Sequence, residues 1–201
     1  MSRRSLTLVS ALAALALTAG LAACGDDSSD DTRNPAGTTA GAPAGADFGD
    51  ADVLFAQSMI PHHEQAIEMA DMALDPTVGA GAEVLDLAGR IKGAQDPEIE
   101  LMTGWLTAWG MPLQMDTSDG HDMSSMDGMM SAEEMEALAA STGAEFDRLW
   151  LEMMVQHHEG AIAMADDVKA DSSNAEVIAL ADAIIAGQQA EIDEMTALLD
   201  A

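Results

Sequence analysis

A long internal repeat is the feature of this sequence that most limits how the chain can fold. Residues 52–71, DVLFAQSMIPHHEQAIEMAD, recur as residues 147–166, DRLWLEMMVQHHEGAIAMAD. A weaker match follows each copy, between residues 91–102, IKGAQDPEIELM, and residues 184–195, IIAGQQAEIDEM. Two segments that occur twice in the same order indicate a duplicated supersecondary unit. The fold must therefore bring two similar halves together.

The first segment of each repeat has the periodicity of a helix. Its apolar residues, from Val53 to Ala70 in the first copy, lie three and four positions apart, and the run is too long for a strand. Pro61 interrupts this pattern and predicts either a kink or a short first helix before a longer one. Gln156 takes its place in the second copy, so the repeat does not require the kink.

Each repeat is expected to form a helical hairpin. Asp75-Pro76 and residues 171–174 break the apolar pattern and can cap second helices, expected over about 78–109 and 175–199. A hairpin cannot bury its apolar stripe alone. We therefore predict an all-α fold, in which the repeats at about 50–109 and 145–200 pack as an antiparallel four-helix bundle with approximate twofold symmetry.

The segment between the repeats, residues 110–130, is rich in methionine and acidic residues and is expected to be a low-complexity crossover. Ser131 and Glu134 fit a capping box, which predicts a short helix from Ser131 to about Ala140.

The N-terminus has the organisation of a bacterial lipoprotein signal. Arg3 and Arg4 precede an apolar run over residues 6–21, which is short for a membrane-spanning helix, and small residues precede Cys24. We expect residues 1–23 to be a lipoprotein signal peptide, removed before a lipidated, palmitate-bearing Cys24. The alternatives are an uncleaved anchor and a plain secretory signal. The protein would be extracytoplasmic and lipid-anchored to the bacterial cell membrane.

Composition separates a tether from the domain and excludes one class of partner. Residues 24–47 are mostly Gly, Ala, Ser, Thr, Asp and Pro and predict a flexible tether, which leaves residues 48–201 as one helical domain. The formal net charge of −29 argues against a nucleic-acid partner. A solvated acidic surface explains such a charge without any ligand. Cys24 is the only cysteine, so no disulfide can form within the chain.

Each repeat contains a His-His pair. Neighbouring helical residues point about 100° apart, so one histidine of each pair can face the bundle centre while the other faces a flank. The stripes that would face each other combine imidazoles with thioethers: Met59, His62, Ala66 and Met69 in the first copy, and Met154, His157, Ala161 and Met164 in the second.

If these stripes face each other, imidazoles and up to four sulfurs converge, and this donor set best matches copper. The alternative is that the methionines fill the core and the histidines bond to carbonyls or carboxylates. The predicted metal site comprises His62, His63, His157, His158, Met59, Met69, Met154 and Met164. Acids that recur in both copies could orient an imidazole, although most are expected at the surface: Asp52 and Asp147, Glu64 and Glu159, Asp71 and Asp166, Glu98 and Glu191.

The crossover offers a second set of soft donors. His121, Met123 and Met126 lie close together in the sequence HDMSSMDGMM and could wrap a soft ion without a preformed cavity. A disordered acidic linker is the alternative interpretation.

Several enzymatic motifs are missing from the sequence. Neither His-His-Glu is followed by the second histidine of H-E-x-x-H, and the residue three before His62 or His157 is methionine rather than the glutamate of di-iron bundles. No glycine-rich phosphate loop or activated nucleophile is evident. The sequence does not require catalysis, and whether the chain is an enzyme stays open.

The repeated pattern M-(I/V)-x-H-H-E-x-A-I-x-M-A resembles the DUF305 family of exported bacterial helical proteins, often placed beside ferritin-like bundles. The resemblance covers about residues 47–201 and includes residues 128–131, GMMS, and residues 146–150, FDRLW. Some members are associated with copper binding or copper tolerance. The resemblance implies that the paired histidines and the four stripe methionines would carry such a role here.

Three functions follow as hypotheses. The first is a lipoprotein that binds copper outside the cytoplasmic membrane, for buffering, sequestration or transfer. The second is an envelope protein-interaction module without metal, tuned by protonation of the histidines. The third is a redox enzyme on a ferritin-like bundle.

Overall fold

The fold is described from a computed structural model, which describes residues 48–115 and 126–201. These residues form five helices and no strand: α1 Asp50–Leu74, α2 Ala82–Trp109, α3 Ala132–Ala140, α4 Gly143–Asp171 and α5 Ala175–Leu199. The all-α prediction is confirmed. The predicted signal peptide, the tether, Cys24, His121 and Met123 lie outside the described residues.

Helices α1 and α4, one from each repeat, form the centre of the bundle and run antiparallel. At one end of their interface the Ser172 hydroxyl, just after α4, donates to the carboxylate of Asp52 near the start of α1. At the other end the indole N–H of Trp150 donates to the Met69 carbonyl, 2.9 Å away. Because early residues of one helix meet late residues of the other, the two repeats are related by an approximate twofold axis across this interface.

Helices α2 and α5 pack on the flanks of this central pair. The most extensive helix contacts are α1 with α2 and α4 with α5, as expected for two hairpins. The α2 and α5 helices meet through the guanidinium of Arg90, which contacts the Glu194 carboxylate at 2.7 Å. The result is the predicted antiparallel four-helix bundle, with α3 added beside α4.

Two clusters of buried apolar side chains fill the bundle. The first, here called the Trp150 cluster, includes Met69, Phe146, Trp150 and Met154. The second, here called the Met59 cluster, includes Phe55, Met59, Ala161 and Val177, with Met164 packed against it. The histidine pairs lie on α1 and α4 at the level between these clusters, so any site they form is enclosed by core on both sides.

The helix boundaries differ from prediction at the first hairpin turn. Helix α2 begins at Ala82 rather than near Val78, because Gly79 adopts a left-handed conformation with φ of 71° and Gly81 is the N-cap. The Asp75 carboxylate does not cap α2, since it accepts hydrogen bonds from the backbone N–H and hydroxyl of Thr77. In the second repeat Asn174 caps α5 as predicted, accepting from the first-turn N–H groups.

Proline is tolerated inside two helices. Helix α1 continues through Pro61 from Asp50 to Leu74, so the predicted alternative of a separate short first helix is not found. Pro97 lies inside α2 in the same way, and the sequence interpretation overlooked it. The predicted capping box of α3 is confirmed, because Ser131 and Glu134 bond reciprocally. Among the described residues, no helix is both long and apolar enough to cross a membrane.

Candidate functional site

The centre of the bundle contains two histidines in ring-to-ring contact, one from each repeat. The ring centroids of His62 and His157 are 3.8 Å apart, with an angle of 41° between the ring planes. Both residues are fully buried. The helical spacing predicted stripes containing His62 and His157 that could face each other. The structure has these two residues in contact at the interface of α1 and α4.

The second histidine of each pair faces the other helix of its own hairpin. His63 Nε2 lies 2.8 Å from a carboxylate oxygen of Glu98 on α2, and His158 Nε2 lies 2.8 Å from a carboxylate oxygen of Glu191 on α5. An ionised carboxylate can only accept a hydrogen bond, so Nε2 carries the proton in each ring. In the neutral form of each ring the lone pair is then on Nδ1, and the carboxylates are the orienting partners that metal-binding histidines usually have.

A backbone carbonyl determines the tautomer of His62 in the same way. His62 Nε2 lies 3.2 Å from the carbonyl oxygen of Asp127, at the end of the crossover. Since a carbonyl only accepts, Nε2 is the protonated nitrogen and the lone pair is on Nδ1. The crossover thus contacts the central histidine pair directly.

Several imidazole nitrogens at this level have no hydrogen-bond partner among the described residues. They are Nδ1 of His62, His63 and His158, and both ring nitrogens of His157. Buried polar atoms without partners are rare because each costs about 1–3 kcal/mol. A bound ion is a physical reason to keep such nitrogens in a core, and their chemistry fits one.

Burial keeps the central rings in the form that binds metals. Desolvation, followed by the neighbouring imidazole of His63, lowers the pKa of His62 from 6.5 to about 3. Desolvation and then the proximity of His62 hold the pKa of His157 well below its usual value. Both rings are therefore neutral near pH 7, with a lone pair available.

The four methionines of the two stripes divide between the two core clusters. Met59 and Met164 belong to the Met59 cluster, and Met69 and Met154 to the Trp150 cluster. Met164 is half-buried and the other three are fully buried. Met59 and Met154 are each three residues from the central histidine of their helix, an axial rise of about 4.5 Å, whereas Met69 and Met164 are about 10.5 Å away. The sulfurs therefore flank the histidine pair from both sides.

The acids that recur in both repeats have different roles. Glu98 and Glu191 contact histidines, whereas Glu64 and Glu159, directly after the pairs, are exposed. In the pair Asp52 and Asp147, Asp52 accepts from Ser172 and Asp147 accepts from the Gly81 N–H at the start of α2. In the pair Asp71 and Asp166, Asp71 forms an ion pair with Lys92 and Asp166 is exposed. No group of three or more His, Cys, Asp or Glu side chains converges within residues 48–115 and 126–201.

The described end of the crossover contains Met126, one of the predicted ligands, in a turn closed by the Met129 N–H. Sequence reasoning missed Met130, which is buried in the Trp150 cluster. Gln95 and Gln188 are also buried, one helical turn before Glu98 and Glu191. The signal for them was present, because both glutamines recur in the weaker repeat at residues 91–102 and 184–195.

Comparison with known proteins identifies relatives over the whole bundle. A family model for DUF305, described as a domain of unknown function, matches residues 52–199. A protein of Streptomyces coelicolor, described as a secreted DUF305 protein, is similar at 31% identity and a TM-score of 0.67, covering 75% of this chain and 92% of that one. A DUF305 fragment from Deinococcus radiodurans also has 31% identity and a TM-score of 0.67, covering 76% and 97%.

A third similar structure carries metal. CopM in its Cu(II)-bound form is 34% identical, with a TM-score of 0.62, over 74% of this chain and 95% of that one. CopM has also been solved in Cu(I)-bound and Ag-bound forms. No curated protein matches the sequence.

Proposed function

This chain belongs to the DUF305 family, and from that premise and its central histidine pair we propose that it is an extracytoplasmic copper-binding protein that buffers, sequesters or transfers the ion. The observation that carries the proposal is the contact of His62 with His157, whose lone pairs are buried and without partners among the described residues. The binding of copper and silver by CopM supports the same cargo.

The proposed ligands are Nδ1 of His62, a ring nitrogen of His157, and the thioethers of Met59 and Met154. Imidazole with thioether is a soft donor set that suits Cu(I), whereas hard oxygen-preferring ions would bind elsewhere. Burial favours the same ion, because the cost of desolvating a charge rises steeply with its magnitude. His63 and His158, held by Glu98 and Glu191, are the second pair of imidazoles available to the ion.

A titration tests this proposal. The purified chain is titrated anaerobically with Cu(I) against a competing chelator, beside a variant in which His62, His63, His157 and His158 are all replaced by Leu. We expect stoichiometric binding by the wild type and a loss of at least about 100-fold in affinity in the variant. Far-UV circular dichroism checks that the variant is helical. Equal affinity of the two proteins would remove the histidines from the proposed site.

We also propose that the protein is exported and held at the membrane surface by lipid on Cys24. The basic, apolar and small-residue segments that precede Cys24 support this, as does the similar secreted protein of Streptomyces coelicolor. Membrane fractions and intact mass of the wild type should show a lipidated chain beginning at Cys24. Cys24→Ser should release the protein, and a variant that stays in the membrane fraction would contradict lipid anchoring.

A further inference from the structure

The end of the crossover is attached to the bundle at the level of the central histidines. Residues 126–130, here called the strap, place the Asp127 carbonyl 3.2 Å from His62 Nε2. The strap is also anchored three residues later, where Met130 enters the Trp150 cluster with 3% of its surface exposed. His62 is therefore in contact with a segment that other residues hold.

Gln65, on α1, binds the strap through both ends of its side-chain amide. Its Nε2 donates to the Met130 carbonyl at 2.9 Å, and its Oε1 accepts from the Met130 N–H at 2.7 Å. The Gln65 amide therefore donates to and accepts from the same residue, as a backbone amide group does between paired strands. It determines the position of the strap along α1, one turn beyond His62.

Gly160, on α4, allows the strap to approach to backbone contact. A Cβ atom at Gly160 would lie 2.1 Å from the Asp127 carbonyl oxygen and 2.7 Å from the Gly128 Cα. On the strap, Gly128 has φ of 81°, and a Cβ atom there would lie 2.9 Å from the Gly160 Cα. Since these neighbours are backbone atoms, any side chain at position 160 must displace the strap.

Gln65 and Gly160 occupy the same position in the two repeats, directly after His-His-Glu. The two repeats therefore differ at this equivalent position, and both residues found there contact the same segment, which has no counterpart in the repeat. The consequence for the histidines is also asymmetric. His62 has a hydrogen-bond partner for Nε2, whereas neither nitrogen of His157 has one among the described residues.

We propose that the strap fixes the tautomer and orientation of His62, so that Nδ1 faces the ion, and that Gln65 and Gly160 are positioning residues that hold the strap. The inference rests on the proposed function, because His62 is one of the proposed ligands. Orienting partners of this kind typically change metal affinity about 10- to 100-fold when removed.

Two variants with matched controls test the proposal. Gly160→Ala inserts a methyl group against the strap, and its control is Gly187→Ala on α5, where a Cβ atom meets nothing within 4 Å. Gln65→Ala removes both hydrogen bonds to Met130 without adding atoms. Its control is Gln57→Ala, since Gln57 binds the other described end of the crossover by donating to the Pro112 carbonyl at 2.7 Å.

The first measurement uses the metal-free chain, with the His62 tautomer read from the ¹⁵N chemical shifts of its ring. We expect Nε2–H in the wild type and both controls, and a mixed tautomer in Gly160→Ala and Gln65→Ala. Cu(I) affinity, measured against a chelator, should fall about 10- to 100-fold in those two variants and less than about twofold in the controls.

An unchanged His62 tautomer in both Gly160→Ala and Gln65→Ala would overturn the inference, as would a Cu(I) affinity within about twofold of wild type in both. This failure is distinct from failure of the proposed function. The tautomer is measured without metal, and the variant lacking all four histidines tests copper binding independently of the strap.

Discussion

The imidazole of His157 contacts that of His62 in a fully buried position, with ring centroids 3.8 Å apart, yet neither of its nitrogens has a hydrogen-bond partner among the described residues. A folded core seldom retains such a residue for stability. His158, the next residue, is equally buried but bonds to Glu191. The two neighbouring histidines therefore differ, because the fold holds His158 through Nε2 and offers His157 no such partner among the described residues.

Replacing His157 should not destabilise the metal-free protein. His157→Leu removes two unpartnered nitrogens and should leave the free energy of unfolding unchanged or raise it by about 1–2 kcal/mol. His158→Leu breaks a hydrogen bond to a carboxylate and should lower it by about 1.5–3 kcal/mol. Urea unfolding of both metal-free variants measures the difference. An equal loss in both would mean that His157 has a partner in solution.

Stability should fall as the solution is acidified, because two buried histidines resist protonation. The pKa of His62 is about 3 and that of His157 is well below 6.5, the unfolded value. Below about pH 6.5 the unfolded chain therefore takes up protons that the folded chain does not. This uptake favours the unfolded chain, so the free energy of unfolding decreases as the pH falls from about 6.5 toward the folded pKa. Each histidine contributes a slope of up to about 1.4 kcal/mol per pH unit.

Metal-free urea unfolding between about pH 7.5 and 4.5 measures this slope, in a range where most carboxylates are still ionised. A variant with both His62→Leu and His157→Leu should show a clearly flatter profile over the same range. A variant as steep as the wild type would assign the pH dependence to other groups.

The carboxylates that orient the outer histidines should matter for metal binding. Glu98→Gln and Glu191→Gln each remove a charged acceptor from an imidazole and should weaken Cu(I) binding about tenfold. The exposed acids that directly follow each pair provide matched controls, so Glu64→Gln and Glu159→Gln should have the wild-type affinity. The copper titration distinguishes these outcomes, and equal effects of the half-buried and the exposed acids would indicate general electrostatics.

Distance along the helices predicts which methionines bind the ion. Met59→Leu with Met154→Leu should weaken Cu(I) binding, because these sulfurs lie one helical turn from the central histidines. Met69→Leu with Met164→Leu should have little effect. Leucine preserves the volume, so both pairs should cost less than about 3 kcal/mol of stability. The same chelator titration measures the Cu(I) affinity of both double variants. A larger loss of affinity in Met69→Leu with Met164→Leu would indicate that the ion binds away from His62.

The fold was predictable because its determinants lie within single helices. Apolar spacing defined the helices, duplication required the two hairpins to pack together, and the 3.6-residue period placed His62 and Met59 on one stripe. The start of α2 was misplaced, because the cap signal at Asp75 suggested a start near Val78 and the helix begins at Ala82. The turn is longer because Gly79 adopts a left-handed conformation, with φ of 71°.

The details of the site depend on contacts between segments that periodicity does not describe. Which acid reaches His63 depends on the register of α2 against α1, and that register comes from packing of the whole core. The strap is a stronger example. Gln65 and Gly160 differ in size and chemistry, and only their common neighbour, residues 126–130, explains why the repeat differs there.

The most direct test of the central claim is copper K-edge X-ray absorption of the Cu(I)-loaded chain, compared with the variant carrying His62→Leu and His157→Leu. The account predicts imidazole nitrogen and thioether sulfur around one ion in the wild type. In the variant, in which His63 and His158 are intact, it predicts fewer imidazole nitrogens around copper. An identical copper environment in the two proteins would contradict a site at the central histidine pair.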